Sequence, residues 1–198
     1  MNYTIISFAA ANKDIVNKYK NDNIKYISFL DDLKELIDKH KNEIDSDLLK
    51  DSKFRYLNNC DTINDIINID ELLEKYINEN ENIVVIHSLG ISYDEQMAMR
   101  LCQLIKENNK DSISIFAIPF AFIGNVKLYK SYLDYLPNLS KKIYSFDCCD
   151  LREKISGTTS LFECFNYVYS IMFYIAYNIE NDINITDIIY KILNNQLW

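Results

Sequence analysis

The chain has 198 residues, of which 48% are hydrophobic, and this is enough to bury the core of a single domain. Its 21 basic and 29 acidic side chains give a net charge of −8, which argues against nonspecific binding to nucleic acid or to an anionic membrane. We therefore expect neither a nucleic-acid partner nor insertion into a membrane.

Cysteine usage and the N-terminus both indicate a cytoplasmic protein. Five cysteines, two of them adjacent at Cys148 and Cys149, do not form an even disulfide framework, which favours a reducing compartment. The first eight residues have no basic flank and too short an apolar run for a signal peptide. The apolar stretch Leu161–Ile179 has membrane length, but its Glu163 and its four tyrosines favour a buried helix.

Short apolar runs alternate with amphipathic segments along the chain. Strands are predicted at Tyr3–Phe8, Ile24–Phe29, Ile83–His87, Ile113–Ile118 and Ile143–Phe146. Helices are predicted at Asn12–Lys20, Asp31–Glu43, Ile63–Asn78, Ser92–Asn108 and Asn125–Tyr135, with a polar loop over residues 45–61. This alternation is typical of βαβ units, so we predict an α/β fold: a three-layer, Rossmann-like, mostly parallel sheet with helices on both faces.

A long apolar helix is predicted after Gly157. Its stripe steps by four and three residues, which is the helical period, and runs through Leu161, Phe165, Val168, Met172, Ile175 and Ile179. Further aromatic residues leave little polar surface on the other sides, so we expect this helix to be nearly surrounded by protein. Thr158 or Thr159 is expected to cap its start, and a short helix at Asp187–Leu193 is expected after it.

Glycine is scarce, and this bears on nucleotide binding. Gly90, Gly124 and Gly157 are the three glycines, and none lies near another. Loops that cradle phosphate need several glycines so that successive backbone N–H groups can close on the ligand. The sequence therefore contains no glycine-rich phosphate loop.

Three segments, in order along the chain, resemble motifs of FtsZ, the bacterial relative of tubulin. P-F-A-F-I-G at Pro119–Gly124 follows a predicted strand and resembles the family's K-P-F-x-F-E-G. G-T-T-S-L-F-E-C-F at Gly157–Phe165 resembles the G-x-x-S-L-L-D-A-F that opens its long central helix. I-N-I at Ile183–Ile185 resembles the I-N-V that follows that helix.

The resemblance implies a tubulin/FtsZ nucleotide-domain fold over essentially the whole chain. On this basis we expect residues 1–198 to form a single domain that stops just past the central helix. The family's C-terminal activating domain is expected to be absent.

Most functional positions of the family are replaced here. Its glycine-rich stretch after the first strand corresponds to F-A-A-A-N at Phe8–Asn12, and its loop G-G-G-T-G-T-G corresponds to S-L-G-I-S-Y-D at Ser88–Asp94. Its guanine-contacting Asn aligns with Tyr169, and its acidic N-V-D-F-A-D aligns with N-I-T-D-I-I at Asn184–Ile189. Only by a register shift can Asp187 replace one of those acids. The resemblance thus implies that the phosphate cradle and the catalytic carboxylates are lost.

Charge at one helix start argues in the same direction. Ser92 followed by Glu95 predicts a capping box. Asp94 and Glu95 would then neutralise the positive end of that helix, which is unfavourable for a bound phosphate.

The positions that could still contact a nucleotide, if one binds, are those that match the family's binding turns. They are Asn12, Ser88, Gly90, Ser92, Asp150 and Tyr169. Asp150 lies in a charged segment, together with Asp147, Arg152 and Glu153, where the family has its N-D-K turn; a solvated turn is the alternative interpretation.

Two other features have a functional and a structural interpretation. His87 ends a predicted central strand, where α/β folds place ligands, and could act as a base beside Ser88 or be a buried imidazole. Cys148 and Cys149 could indicate metal or redox chemistry, but no second cysteine pair or histidine pair accompanies them, which favours small buried residues.

We therefore expect a degenerate FtsZ-like protein that does not hydrolyse GTP. It would act through protein–protein association, with itself or with an FtsZ-type filament, in cell division or a cytoskeleton. The alternative is a weak GTP or GDP binder with little or no GTPase activity, and no other cofactor is expected. A small hydrolase based on His87 ranks last.

Overall fold

A computed structural model describes residues 3–8, 13–19, 23–40, 68–88, 92–118, 133–152, 159–181 and 183–193. Within these ranges it leaves out the side chains at positions 13, 40, 92–94, 152, 161 and 193. The predicted loop over residues 45–61 and most of the predicted helix Asn125–Tyr135 lie outside the described residues.

Five parallel strands form one sheet. They are β1 (Tyr3–Ser7), β2 (Ile24–Ser28), β3 (Ile83–Ser88), β4 (Ser112–Ile118) and β5 (Lys142–Asp147), and their order across the sheet is β2-β1-β3-β4-β5. The five predicted strands are confirmed, and each observed strand end lies within one residue of the predicted end. Continuous apolar runs predict these strands correctly because parallel strands are buried on both faces of the sheet.

Seven α-helices have assigned bounds in the described residues, and residues 133–135 are also helical. They are α1 (Lys13–Tyr19), α2 (Phe29–His40), α3 (Ile69–Glu79), α4 (Ser92–Glu107), α5 (Cys148–Arg152), α6 (Leu161–Tyr177) and α7 (Ile185–Leu193). α3 begins at Ile69 because the Asn68 side chain caps it by accepting from the Glu71 N–H. α5 replaces the turn expected there, and Asp147 stabilises its start by accepting from the Cys149 N–H at 2.7 Å.

Helices cover both faces of the sheet, which confirms the predicted three-layer α/β architecture. One face packs Ile6, Val85 and Phe116 against α2, α3 and α4. The other packs Val84 and Ile115 against α1, α5, α6 and α7. Each strand thus divides its side chains between two cores, as the pleat of a strand requires.

α6 follows the predicted apolar stripe, but its first turn lies at the surface. Val168, Met172 and Ile175 are buried, whereas Phe162 is 68% exposed. The expected cap at Thr158 or Thr159 is wrong. Ser160 is the N-cap, in a capping box where its hydroxyl accepts from the Glu163 N–H at 3.2 Å and the Glu163 carboxylate accepts from the Ser160 N–H at 2.8 Å.

A bidentate ion pair joins α3 to α4. The Arg100 guanidinium donates to both carboxylate oxygens of Asp70, at 3.1 and 2.6 Å, and the two side chains are only partly exposed. This contact holds the pKa of the Asp70 carboxyl below its ordinary range, because the hydrogen bond favours the charged form. The planar guanidinium can donate two parallel hydrogen bonds to one carboxylate. The ion pair thereby fixes the distance between α3 and α4 on one face of the sheet.

We expect a double-mutant cycle of Arg100→Ala and Asp70→Ala to give a coupling free energy of about 1 kcal/mol in chemical unfolding, since the pair is bidentate but partly solvated. The matched control is the cycle of Lys141→Ala and Asp111→Ala, a single contact of 2.8 Å between side chains that are 68% and 69% exposed. Its coupling should be near zero. Equal coupling energies for the two pairs would contradict this account.

Candidate functional site

The strand order places the candidate site at the carboxyl ends of β1 and β3. From β1 the chain passes by way of α1 to β2 on one side, whereas β3, β4 and β5 continue on the other side. In open α/β sheets, ligands bind at such a switch point, outside the carboxyl ends of the strands. Here Ser7 ends β1 and Phe8 follows it, and His87 and Ser88 lie at the end of β3.

Phe8 extends the hydrophobic core up to this end of the sheet. Its backbone N–H donates to the Ile86 carbonyl at 2.9 Å, so β1 stays bonded to β3 beyond its last assigned residue. Its side chain is fully buried, and its ring lies 4.6 Å from that of Phe29, the first residue of α2. An aromatic pair of this kind excludes water from the sheet face that α2 covers.

His87 is fully buried in β3, the strand next to β1. Its ring is stacked on Phe116 of β4, with centroids 5.4 Å apart, and neither ring nitrogen has a hydrogen-bond partner among the described residues. Burial lowers the pKa of this imidazole to about 4. At neutral pH His87 is therefore uncharged and contributes no positive charge to an anionic ligand.

The geometry does not support the hypothesis of His87 as a base for Ser88. Successive side chains of a strand point to opposite faces of the sheet. His87 lies on the same face as Val85, which packs with α2, α3 and α4, and Ser88 lies on the other face. The two side chains are thus separated by the sheet itself, and a histidine–serine pair does not form.

Acidic residues occupy the helix starts at the carboxyl side of the sheet. Helices that follow a parallel strand begin at this side. α3 ends at the opposite, amino side, where it leads into the start of β3, so it also begins at the carboxyl side. The acidic first-turn residues are Asp14, Asp31, Asp32, Asp70, Glu71, Asp150 and Glu163. Apart from Asp70, which is paired with Arg100, these carboxylates offset the positive end of the helix dipole and repel anions.

Glu95 in the first turn of α4 is fully buried. It lies on the helix face that also buries Ala98, Met99 and Cys102 against the sheet. The predicted capping box cannot be followed further, because the Ser92 side chain lies outside the described residues.

The predicted nucleotide contacts fall in different places. Asn12 and Gly90 lie outside the described residues, and Ser92 begins α4. Ser88 is half-buried at the end of β3, while Asp150 is exposed on α5, after the outermost strand. Their roles as nucleotide contacts stay predictions.

Tyr169 is the sixth predicted contact. It is half-buried on α6 and stacked on Phe165, with centroids 6.4 Å apart. It lies eight residues into the helix, so about 12 Å of helix axis separates it from the helix start at the carboxyl side of the sheet.

The cysteines behave as small core residues. Cys148 is buried in the core on the α6 face, and burial raises the pKa of its thiol to about 12. Cys149 is half-buried, and the described cysteines are unpaired thiols. In the described residues no group of three or more His, Cys, Asp or Glu side chains is placed to hold a metal ion.

A cavity of about 400 Å³ opens at the opposite, amino side of the sheet. It is lined by Tyr3, Thr4, Asn23, Ile24, Lys25, Glu79, Asn80, Glu81 and Asn82. Its central polar group, the Asn80 side chain, accepts from the Thr4 hydroxyl at 2.8 Å and donates to the Tyr76 carbonyl at 2.6 Å. Asn80 is thus committed to internal bonds, and the cavity lies far from the switch point.

Known proteins are similar to this chain in fold and not in sequence. No family model matches the sequence, and no curated protein matches it. Among solved structures, it is similar to a point mutant of FtsZ from M. jannaschii, with 10% identity and a TM-score of 0.62. The match covers 98% of this chain and 62% of that FtsZ chain. The tubulin/FtsZ-like fold that the motifs predicted is therefore confirmed.

None of the helices in the described residues has the length and apolarity needed to cross a membrane.

We expect stability to fall between pH 6.5 and pH 4 because of His87. The unfolded imidazole binds a proton near pH 6.5, whereas the folded one binds it only near pH 4, so the neutral form stabilises the fold fully above pH 6.5. The loss across this window should reach roughly 3 kcal/mol. His87→Leu keeps the side-chain volume and should flatten this part of the curve of unfolding free energy against pH.

The matched control for that measurement is His40→Leu, which replaces the second of the two histidines. It should leave the slope between pH 6.5 and pH 4 unchanged. An unaltered slope in His87→Leu would show that this imidazole does not titrate with a lowered pKa.

Proposed function

We propose that this chain is a tubulin/FtsZ-like protein that acts through protein–protein association and does not hydrolyse GTP. Its partner is a second copy of itself or an FtsZ-type filament, in a cytoplasmic, cytoskeletal or cell-division setting. The fold likeness supports the class of protein. The observation that carries the non-hydrolytic part is the packing of Phe8 on Phe29 and of His87 on Phe116 at the ends of β1 and β3.

Phosphoryl transfer needs groups that hold and neutralise phosphate. Besides the hydroxyls of Ser7 and Ser88, the described side chains at the switch point are the Phe8–Phe29 pair and the neutral His87 ring stacked on Phe116. The surrounding helix starts are acidic, so a triphosphate approaching this side meets charge of its own sign. Both features disfavour a nucleotide and leave the surface to a protein partner.

An exposed aromatic residue at the same side fits such a contact. Phe162, in the first turn of α6, is 68% exposed. The start of α6 lies at the carboxyl side, because its other end packs Tyr174 and Tyr177 against Tyr19 at the end of α1. Aromatic residues are enriched in the cores of protein interfaces.

We expect the purified protein to sediment with polymers of FtsZ from M. jannaschii formed in GTP, or to change the amount of polymer. Phe162→Ala should reduce this effect, since it removes the exposed ring from the carboxyl side. Tyr190→Ala is the matched control, because Tyr190 is also exposed, at 61%, but lies on α7. A protein that stays in the supernatant, leaves the polymer unchanged and does not associate with itself would contradict the proposal.

Nucleotide binding is tested separately by calorimetry and thermal melting with GTP and GDP. We expect no saturable heat and no shift in Tm at 1 mM nucleotide. A ligand present at a hundred times its Kd would stabilise the protein by about 2.7 kcal/mol, which is several degrees in Tm. A shift of that size, lost in Ser88→Ala but kept in Ser145→Ala, would favour the weak nucleotide binder.

A further inference from the structure

β5 is an outer strand of the sheet in the described part of the chain. Its assigned neighbour is β4, and its own residues run Lys142-Ile143-Tyr144-Ser145-Phe146-Asp147. The outer edge of such a strand presents backbone N–H and C=O groups that can pair with another strand. Proteins commonly protect such an edge with charged side chains, especially lysine.

The ladder pattern shows which backbone groups point outward from β5. The N–H groups of Thr4 and Phe8 donate to the carbonyls of Asn82 and Ile86, so the even-numbered residues of β3 face β1. Backbone groups alternate sides along a strand, and the register carries this alternation through β4 to β5. The groups that point outward from β5 are those of Ile143, Ser145 and Asp147.

Two charges along this edge, those of Lys141 and Asp147, are of opposite sign and lie symmetrically about Tyr144. Lys141 directly precedes β5, Asp147 ends it, and Tyr144 is three residues from each. The other outer strand, β2, has Lys25 as its one charged residue within Ile24–Ser28. The β2 edge therefore presents a single positive charge. The β5 edge has Lys141 near one end and Asp147 at the other, so it is complementary in charge to a second, antiparallel copy of itself.

We propose that two copies of this chain pair through their β5 edges, antiparallel, about a two-fold axis at Tyr144 that places Lys141 of each copy opposite Asp147 of the other. In a continuous sheet, directly opposite residues share a face, so the two-fold axis must pass through a residue position rather than between two residues. An axis at Tyr144 pairs Ile143 with Ser145 and forms two Lys141–Asp147 contacts. An axis at Ser145 pairs no opposite charges, so charge selects the first register.

The two charged residues already have contacts within one copy. The Lys141 N–H donates to the Ser112 carbonyl of β4 at 3.0 Å, so this N–H is not part of the outer edge and Lys141 contributes its side chain. Lys141 donates to Asp111 at 2.8 Å, but both side chains are largely exposed and such a pair contributes little. Asp147 uses its Oδ1 atom to cap α5. A two-fold axis closes the assembly at two copies. The β5 dimer is one form of the self-association proposed above, and it does not involve the switch point at the ends of β1 and β3.

The test is sedimentation equilibrium of the full chain and of charge variants. Lys141→Glu creates two like-charged contacts across the axis and should weaken dimerisation by about tenfold or more, whereas Lys142→Glu, with the same change in charge, lies opposite Phe146 and should change it by less than about threefold. Ser145→Pro removes an outward N–H and should abolish the dimer, and Ser145→Ala should keep it.

A mixture of two charge variants gives the sharpest result. Asp147→Lys alone places Lys141 opposite a lysine, and Lys141→Glu alone places Glu opposite Asp147, so each homodimer should be weaker than the wild-type dimer by about tenfold or more. A mixture of the two has opposite charges at both contacts and should form a heterodimer of wild-type affinity. Circular dichroism of each variant checks that loss of the α5 cap has not unfolded the chain.

Two results would overturn the proposal. One is a wild-type chain that stays monomeric at 100 μM in low salt. The other is a dimer whose affinity is the same in Lys141→Glu and Ser145→Pro. In either case sedimentation with FtsZ polymers can still succeed, so failure of the β5 dimer and failure of the proposed function are distinguishable.

Discussion

Burial of both faces of a five-stranded parallel sheet is the constraint on which the rest of the structure depends. Parallel strands need crossover connections, and these place helices on each face and bring the helix starts to one side of the sheet. Phe8 and His87 fill the face covered by α2 to α4 up to the ends of β1 and β3. The acidic helix starts then surround a switch point whose described side chains are apolar or neutral.

Much of this architecture could be predicted from the sequence because strand burial leaves a simple signal. Ile83–Ser88 and Ser112–Ile118 are almost wholly buried, and a continuous apolar run is what such a strand requires. The helix α6 could also be predicted, because its apolar residues recur every three or four residues. α5 was not, because five residues are too few to show a helical period and its stability depends on the Asp147 cap.

The residues before α6 contain the sequence signal for its N-cap. Three hydroxyl residues precede the helix, and only Ser160 has a glutamate three residues later, at Glu163. That spacing identifies the capping box that the structure contains. At the candidate site, the alternation of strand side chains could have separated His87 from Ser88. The burial of Glu95 could not have been predicted, since it depends on how α4 packs on the sheet.

The likeness to FtsZ, at 10% identity, shows a shared fold. The chemistry at the strand ends follows from this chain's own residues. In its described part, the switch point has buried aromatic rings, a neutral imidazole and the hydroxyls of Ser7 and Ser88, and none of these side chains is cationic. The most direct measurement is to denature the protein as purified from its expression host and quantify the guanine nucleotide that is released. The account predicts far less than one guanine nucleotide per chain. Release of about one GDP or GTP per chain would contradict it.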